Sequence, residues 1–491
     1  MACPPLIEAL RDGRRYPHPA SEVQVAETHA SWVLLAGTFA YKIKKPVTLP
    51  FLDYGSLEKR RAACLEELRL NRRLAPDLYQ DVVAIAGSPE APMIGGEGEA
   101  IEYAVRMVRF PEAMRLDHVA RRGELGPTPL TRLARAVGGF HEAATVAPPG
   151  PGHGEPARVI APALENFTEL YDLAPGEQPR LATLEAWTRA EFTRIAPLLA
   201  GRKAAGRIRE CHGDLHLGNL VLMGDEVVPF DGIEFSEDLR WIDVANEIAF
   251  TWVDLLDHGR PDLAGWFLNE WLGWSGDYGA LGALRFYAVY RALVRAKVAG
   301  LRGDAGEIAD YLALAESLVR PPLPRLVITF GLSGSGKTTE SGRLLMADPA
   351  ASTIRLRSDV ERKRLFGLAP DEASGGAIYA PEANDRTYAR LLDLAGQAII
   401  AGWSVVVDAA FLRRAERAAF RRLAAGRDLP FRILACDAPL EELRRRTTQR
   451  AGDASEATAA VVDLQAGWVE PLSDAERALV LPAPRAPLPG G

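Results

Sequence analysis

At 491 residues, 48% hydrophobic and 25% charged, the chain is too long for a single core and has the make-up of a globular protein of two or three domains, which excludes a disordered or fibrous chain. Its four cysteines, Cys3, Cys64, Cys211 and Cys436, lie far apart and form no CxxC pair, which argues against a zinc site or a disulfide framework and for a reducing compartment. The net charge of −7 is uneven: residues 325–491 carry 23 Lys and Arg against 21 Asp and Glu, leaving an acidic first part and no basic footprint for nucleic acid.

In chain order, SWVLLAG and TFAYKIKK flank Gly37 as a hairpin. SLEKRRAACLEELRLNRRLAP then reads as a helix ending at Pro76, followed by strands in DVVAIAG and IEYAVRMVRF. From Thr128 the pattern turns helical as far as Val319, with Trp241, Trp252, Trp266, Trp271 and Trp274 assigned to the helical core or, for one or two, to the floor of an acceptor pocket. That is a small β-rich lobe to about residue 110 and a helical lobe after it, together residues 1–320, with the loop APPGPGHGEPA exposed within it. The proline run at residues 321–325 is a stiff linker. Beyond it, strands at 326–330, 404–408 and 431–435 alternate with helices, so residues 326–480 form a parallel α/β sheet, and residues 481–491 are expected to be a disordered tail. No run of about 18 apolar residues occurs and the N-terminus lacks a signal-peptide core, so a cytoplasmic protein without a membrane partner is expected.

Two phosphate-handling patterns stand in this framework. CHGDLHLGNL, followed by VVPFDGIEF, has the HxDxxxxN spacing of a kinase catalytic loop. Phosphoryl transfer to a hydroxyl needs a carboxylate beside the acceptor oxygen and oxygen ligands for Mg²⁺. Asp214 fits the first role, Asn219 and the strand-terminal Asp231 the second. A β-lobe lysine paired with a helix glutamate is required as well. Lys42 and Lys44 share one strand face, so periodicity leaves the choice between them open. Through HGDxHxxN, matched by His212, Gly213, Asp214, His216 and Asn219, residues 23–315 resemble the aminoglycoside phosphotransferase branch of the protein-kinase-like fold. The resemblance implies Lys42 over Lys44 and Glu67 over Glu66 on ATP, and adenine near Met107. DGIEF departs from the kinase DFG, and Asp243 is expected to buttress the catalytic loop, with His141 a satisfied helix histidine. Glu234, Glu237 and Asp238 follow Asp231, too few acids to specify an aminoglycoside.

LVITFGLSGSGKTT is a full GxxxxGK[ST] phosphate loop between a strand and a helix. Backbone N–H groups across Gly331, Leu332, Ser333, Gly334, Ser335, Gly336 and Thr339 wrap the phosphates, Lys337 reaches the outer ones, and Thr338 binds Mg²⁺. With RLRSDVERKRLFGL, the strand-end Asp408 and LEELRRRTTQR, this half resembles the small P-loop kinases that include the polynucleotide kinase 5′-kinase domain, gluconate kinase and zeta toxin. The resemblance implies Asp359 as base, Arg362 as acceptor clamp, Asp408 as metal-side carboxylate, and Arg446 and Arg450 as lid residues. Asp359 also reads as a helix cap. Arg413, Arg417, Arg421 and Arg422 share one helix and read as a solvated face.

The whole chain resembles bacterial proteins described as bifunctional aminoglycoside phosphotransferase-like and ATP-binding. The resemblance implies a protein-kinase-like bilobal domain followed by a P-loop NTPase domain, and a kinase using ATP and Mg²⁺ at two sites on small-molecule hydroxyls. Two other readings stay open: a P-loop half that alone is catalytic, on a nucleotide or polynucleotide 5′-hydroxyl, and an ATP sensor.

Overall fold

The structure is a computed structural model that describes residues 4–49, 52–374, 378, 381–449 and 458–482. It forms two compact units, one of Met1–Leu125, Phe140–Arg158 and Ala200–Thr251, the other of Gly126–Gly139, Val159–Leu199 and Trp252–Gly491. The units divide elsewhere than at the proline run, because helices preceding that run pack with the second sheet.

In the first unit six antiparallel strands lie in the order Val23–Glu27, Ser31–Ala36, Phe39–Lys44, Ala100–Val108, Tyr79–Ser88 and Ala91–Ile94. The hairpin around Gly37, with φ of 58°, is the one the sequence predicts. Alternation in Phe39–Lys44 sends Tyr41 and Ile43 into a core with Ile7, Leu34 and Ile85. Ala40, on the opposite face, packs with Cys64, Val105 and Met107 beneath the helix Leu57–Asn71, so Lys42 and Lys44 share the face turned to that helix. Ser56 caps the helix by accepting the Lys59 N–H at 3.3 Å. It ends at Asn71, short of the expected Pro76, and continues only in turns to Ala75, since the residue before a proline is disfavoured in helical conformation. Two short antiparallel pairs complete the site scaffold: Ile208–Glu210 with the remote Trp241–Asp243, and the hairpin of Leu220–Met223 with Glu226–Pro229.

The second unit holds a four-stranded parallel sheet in the order Thr353–Arg357, Ser404–Asp408, Leu326–Phe330, Phe431–Ala435. Its three middle-to-outer strands from Leu326, Ser404 and Phe431 are those read from the sequence; Thr353–Arg357 was not read as a strand. Thr353–Arg357 is an edge, and an edge leaves unpaired backbone groups. Helix Pro261–Ser275 covers it: Asn269 donates to the Thr353 carbonyl at 2.9 Å and accepts the Arg355 N–H at 2.6 Å, so one carboxamide acts as a surrogate strand. Trp403 donates its indole N–H to the Leu281 carbonyl at 3.0 Å and packs at a tilt against Trp252, ring centroids 5.7 Å apart. Trp252 and Trp271 are fully buried as core, while Trp266 is partly buried and donates to Thr131 at 2.8 Å.

The arginine face of helix Arg414–Ala425 is not uniformly solvated. Arg417 is 1% exposed and forms a buried pair with Glu476 at 2.7 Å while donating to the Phe411 and Leu412 carbonyls; Arg413, Arg421 and Arg422 are exposed as expected. Despite burial, which opposes its charge, the Arg417 hydrogen bond holds Glu476 at about 2.

Asn269→Ala strands a buried N–H and a buried carbonyl, and is expected to cost about 2–4 kcal/mol in urea unfolding. For Glu476 the folded value lies below the unfolded one of about 4.3, so its contribution is complete above pH 5 and disappears as pH falls towards 2. Glu476→Gln is expected to lower stability at neutral pH and to flatten that acid limb, as read by unfolding midpoints between pH 2 and 7.

Candidate active sites

The kinase-like site begins with the lysine strand. Both lysines reach Glu67, which is completely buried: Lys42 Nζ meets one oxygen at 2.8 Å and Lys44 Nζ the other. The two then diverge, Lys42 to Asp231 and Lys44 to Glu234, which also accepts the Tyr54 hydroxyl. Burial opposes the charge on Lys42, but Asp231 and then Glu67 outweigh it and hold the ammonium well above its ordinary value. Burial likewise opposes ionisation of Asp231, and Lys42 overcomes it to keep that carboxyl low. Glu66 turns instead to Arg69 at 2.7 Å and Arg240 at 3.1 Å. Committed to Lys44 and Tyr54, Glu234 is withdrawn from the acidic set that follows Asp231.

Asp231 has φ of 63°, a left-handed conformation uncommon outside glycine. Two bonds hold it: its N–H donates to the Tyr79 hydroxyl at 3.0 Å, and the Gly232 N–H donates to Asn71 Oδ1 at 2.8 Å. The hairpin register that pairs Leu220 with Pro229 sets Asn219 against Phe230, whose N–H it accepts at 2.9 Å, next to Asp231. Asn219 donates its carboxamide N–H to Asp214, at 2.8 Å to Oδ2 and 3.0 Å to the carbonyl. His216 Nε2 stands 3.5 Å from Asp214 Oδ2. Met107 is buried opposite Ala40 on the strand beside the lysine strand.

The catalytic loop is buttressed by Glu247, whose two oxygens accept the His212 N–H at 2.7 Å and the Gly213 N–H at 2.9 Å. Asp243, expected in this role, is taken up by Arg202, with both contacts at 2.7 Å, and by the Ala245 N–H. The exchange is one helical turn: Glu247 lies four residues on, inside helix Val244–Asp257. Gly213, with φ of 89°, lies so close to the Leu239 carbonyl that a Cβ would sit 2.8 Å from it.

In the second unit Lys337, Thr338, Asp359, Arg362 and Asp408 line one cavity of about 360 Å³ together with Asn384, Tyr388, Glu416 and Trp468. Helix Lys337–Met346 starts at the lysine, directly after Gly336 with φ of 91°. A Cβ on Gly331 would lie 2.2 Å from the Cys436 carbonyl, so only glycine lets the loop pass. Lys337 Nζ donates to the Leu332 carbonyl at 2.7 Å, and the Ser333 N–H donates to Gln465 at 2.8 Å. Arg446 bonds Glu442 at 2.6 Å and the Gly334 carbonyl at 3.4 Å, which brings it to the loop; Arg450 lies outside the described residues. Asp359 is not the cap of its helix, Ser358–Leu365: that position is Arg357, and the aspartate sits in the first turn, where its charge suits the helix dipole. Arg362 contacts Asn384 at 3.1 Å, and Asn384 contacts Glu416 at 3.3 Å. Burial pushes the Glu416 carboxyl up.

A family model described as the phosphotransferase enzyme family matches residues 57–287, and one described as an AAA domain matches residues 326–472. Uncharacterized proteins of Mycobacterium tuberculosis and Mycobacterium bovis are each 30% identical over 480 residues, spanning 93% of this chain and 93% of each relative. The chain belongs to the family of these mycobacterial proteins. It is a phosphotransferase with a kinase-like first domain and a P-loop second one. Among solved structures it is similar to a choline/ethanolamine kinase family protein from Mesorhizobium loti, at 13% identity and TM-score 0.40, over 62% of this chain and 90% of that one. It is also similar to an APS kinase of Mycobacterium tuberculosis in complex with AMPPNP and APS, at 26% identity and TM-score 0.21, over 26% of this chain and 71% of that one. No helix among the described residues is long and apolar enough to cross a membrane.

Sequence reasoning missed several residues of the two candidate sites. Asn71 lies one turn after Glu67 and Glu247 one turn after Asp243, spacings visible in the sequence. Tyr54, Tyr79, Asn384, Tyr388, Glu416, Gln465 and Trp468 come from remote segments and carry no local signal.

Glu247→Ala leaves two buried N–H groups of the catalytic loop without their acceptor. A loss of about 10–100-fold in turnover at the kinase-like site is expected. Faster amide exchange at His212 and Gly213 checks that the loop itself has loosened.

Proposed function

We propose that this phosphotransferase is a cytosolic kinase with two Mg·ATP sites, each transferring the γ-phosphoryl group to a hydroxyl of a small molecule. The observation that carries the proposal is the convergence of Lys337, Thr338, Asp359, Arg362 and Asp408 on one cavity, beside a loop shaped for phosphate. The fit is physical. Ser335 Oγ is buried and makes no hydrogen bond among the described residues, Gly331 has room for no side chain, and Thr338 and Asp408 offer the hard oxygens that Mg²⁺ takes. In the other site Asn219 and Asp231 offer the same chemistry beside Lys42.

When bound, Mg²⁺ supplies charge neutralisation across the nucleotide phosphates. At the kinase-like site, Glu67 aims Lys42 at the inner phosphates. Asn219, by donating to Asp214, holds that carboxylate in place, and its carboxamide oxygen would serve with Asp231 as a ligand for Mg²⁺. Asp214 orients the acceptor hydroxyl and takes its proton as the new O–P bond forms and the bond to the ADP oxygen breaks. In the P-loop domain Asp359 takes the proton, and Lys337, Arg362 and Arg446 stabilise charge on the transferring group. The chain Arg362–Asn384–Glu416 and the ring of Trp468 suit a polar acceptor with an apolar face.

The test is ATP turnover with pooled sugars, amino alcohols, nucleosides and RNA 5′-hydroxyl ends. Asp214→Ala and Lys337→Ala are each expected to abolish a different phosphorylated product, with losses of at least about 100-fold. If only Lys337→Ala stops turnover, the two-site reading is wrong.

A further inference from the structure

A second cavity, of about 300 Å³, lies in the same compact unit as the phosphate loop and is lined by other residues of helix Ser358–Leu365. Asp359 and Arg362 turn to the phosphate-loop cavity, whereas Val360 and Lys363 line this one. Helix Pro261–Ser275 contributes Glu270 and Trp274, and the end of strand Thr353–Arg357 contributes Arg355 and Arg357. Neither sequence motif absorbs it.

Its charge is lopsided. Four cations, Arg135, Arg355, Arg357 and Lys363, stand against two acids, Glu270 and Asp371, and Glu270 is engaged with Arg355 at 3.1 Å. A concave site with a surplus of two positive charges and low-dielectric walls concentrates anions. Three of the cations are guanidinium groups, whose planar forks match phosphoryl oxygens. Lys363 is 1% exposed and donates to the Pro370 carbonyl at 3.3 Å, so its ammonium is held at the wall. Trp274, with Arg135 over its ring at 5.9 Å, adds an apolar platform beside the charged end.

Arg357 is the partition between the two cavities. It pairs in register with Asp408 on the neighbouring strand, and its Nε lies 3.8 Å from Asp408 Oδ2, which faces the phosphate-loop cavity. We propose that the second cavity binds a phosphoryl dianion, free or as a small phosphomonoester, and that Arg357 is shared between that ligand and Asp408. An anion that draws Arg357 away leaves Asp408 more negative and a stronger partner for a cation. By linkage, a cation on Asp408 releases Arg357 to the anion. This coupling rests on the proposed reading of Asp408 as the metal-side carboxylate; the anion site itself does not.

The test uses the full chain with Lys337→Ala, to silence the phosphate loop, without divalent metal. Inorganic phosphate and phenyl phosphate are titrated in turn and tryptophan fluorescence is followed. A saturable change is expected that disappears when Trp274→Phe is added, and that needs about tenfold more ligand with Lys363→Met or Arg135→Gln. Arg135 is exposed, so its variant keeps the fold. Tighter binding of phenyl phosphate assigns an organic ester, and equal binding assigns free phosphate. Asp408→Asn is expected to tighten binding several-fold by releasing Arg357. No saturable change, or one indifferent to Trp274→Phe, Arg135→Gln and Lys363→Met, overturns the site; an unchanged affinity with Asp408→Asn overturns the sharing of Arg357. Neither readout depends on turnover, so a failure here is separate from a failure of the kinase reading.

Discussion

Glu67 is wholly buried, and each of its oxygens meets a lysine. A carboxylate removed from water is tolerated only when donors replace its hydration, and removing one partner of such a pair leaves an uncompensated charge. The glutamate therefore fixes two lysines at once. Lys42 is left pointing at Asp231, and Lys44 at Glu234, which ties the segment after Asp231 to the small lobe. Asn71 adds a further tie from the same helix to Gly232. The left-handed backbone at Asp231, which aspartate tolerates better than most side chains do, is fixed by this set of contacts.

Glu247 repeats the device on the catalytic loop. Its oxygens face two consecutive backbone N–H groups, so the loop is gripped by its main chain while the side chains of Asp214 and Asn219 bond each other. The P-loop domain uses a different economy. There the backbone is shaped by Gly331, where a Cβ has no room, and by Gly334 and Gly336 in the left-handed region, and charge is brought in by a helix that opens on Lys337. In both candidate sites the conspicuous side chains stand on elements held by buried polar contacts, the kind of support that keeps a site in register.

The covering of the edge strand Thr353–Arg357 has a wider effect. Asn269 satisfies both a carbonyl and an N–H of that strand, so the P-loop sheet is completed by a helix that precedes the proline run. The same helix walls the second cavity, and the same strand ends on Arg357, which faces Asp408. One packing contact thereby brings a helix that precedes the proline run within two strands of the phosphate-loop cavity.

Much of the chemistry was legible in the sequence. HGDxHxxN, the strand-end Asp231 and GLSGSGKTT are local patterns, because a loop that holds phosphate or metal needs particular residue types at fixed short spacings. Period 2 placed Lys42 and Lys44 on one face but had no means of separating them, since their difference lies in Asp231 and Glu234, nearly two hundred residues away. Glu67 was preferred over Glu66 by resemblance; the structure adds that the two glutamates serve different arginine and lysine partners. The grip of Glu247, the burial of Arg417, the lining of the phosphate-loop cavity by Asn384, Tyr388 and Glu416, and the second cavity belong to tertiary structure alone. Local spacing determines which groups a loop presents, whereas burial, charge pairing and the walls of a cavity are set by segments that meet only when the chain packs.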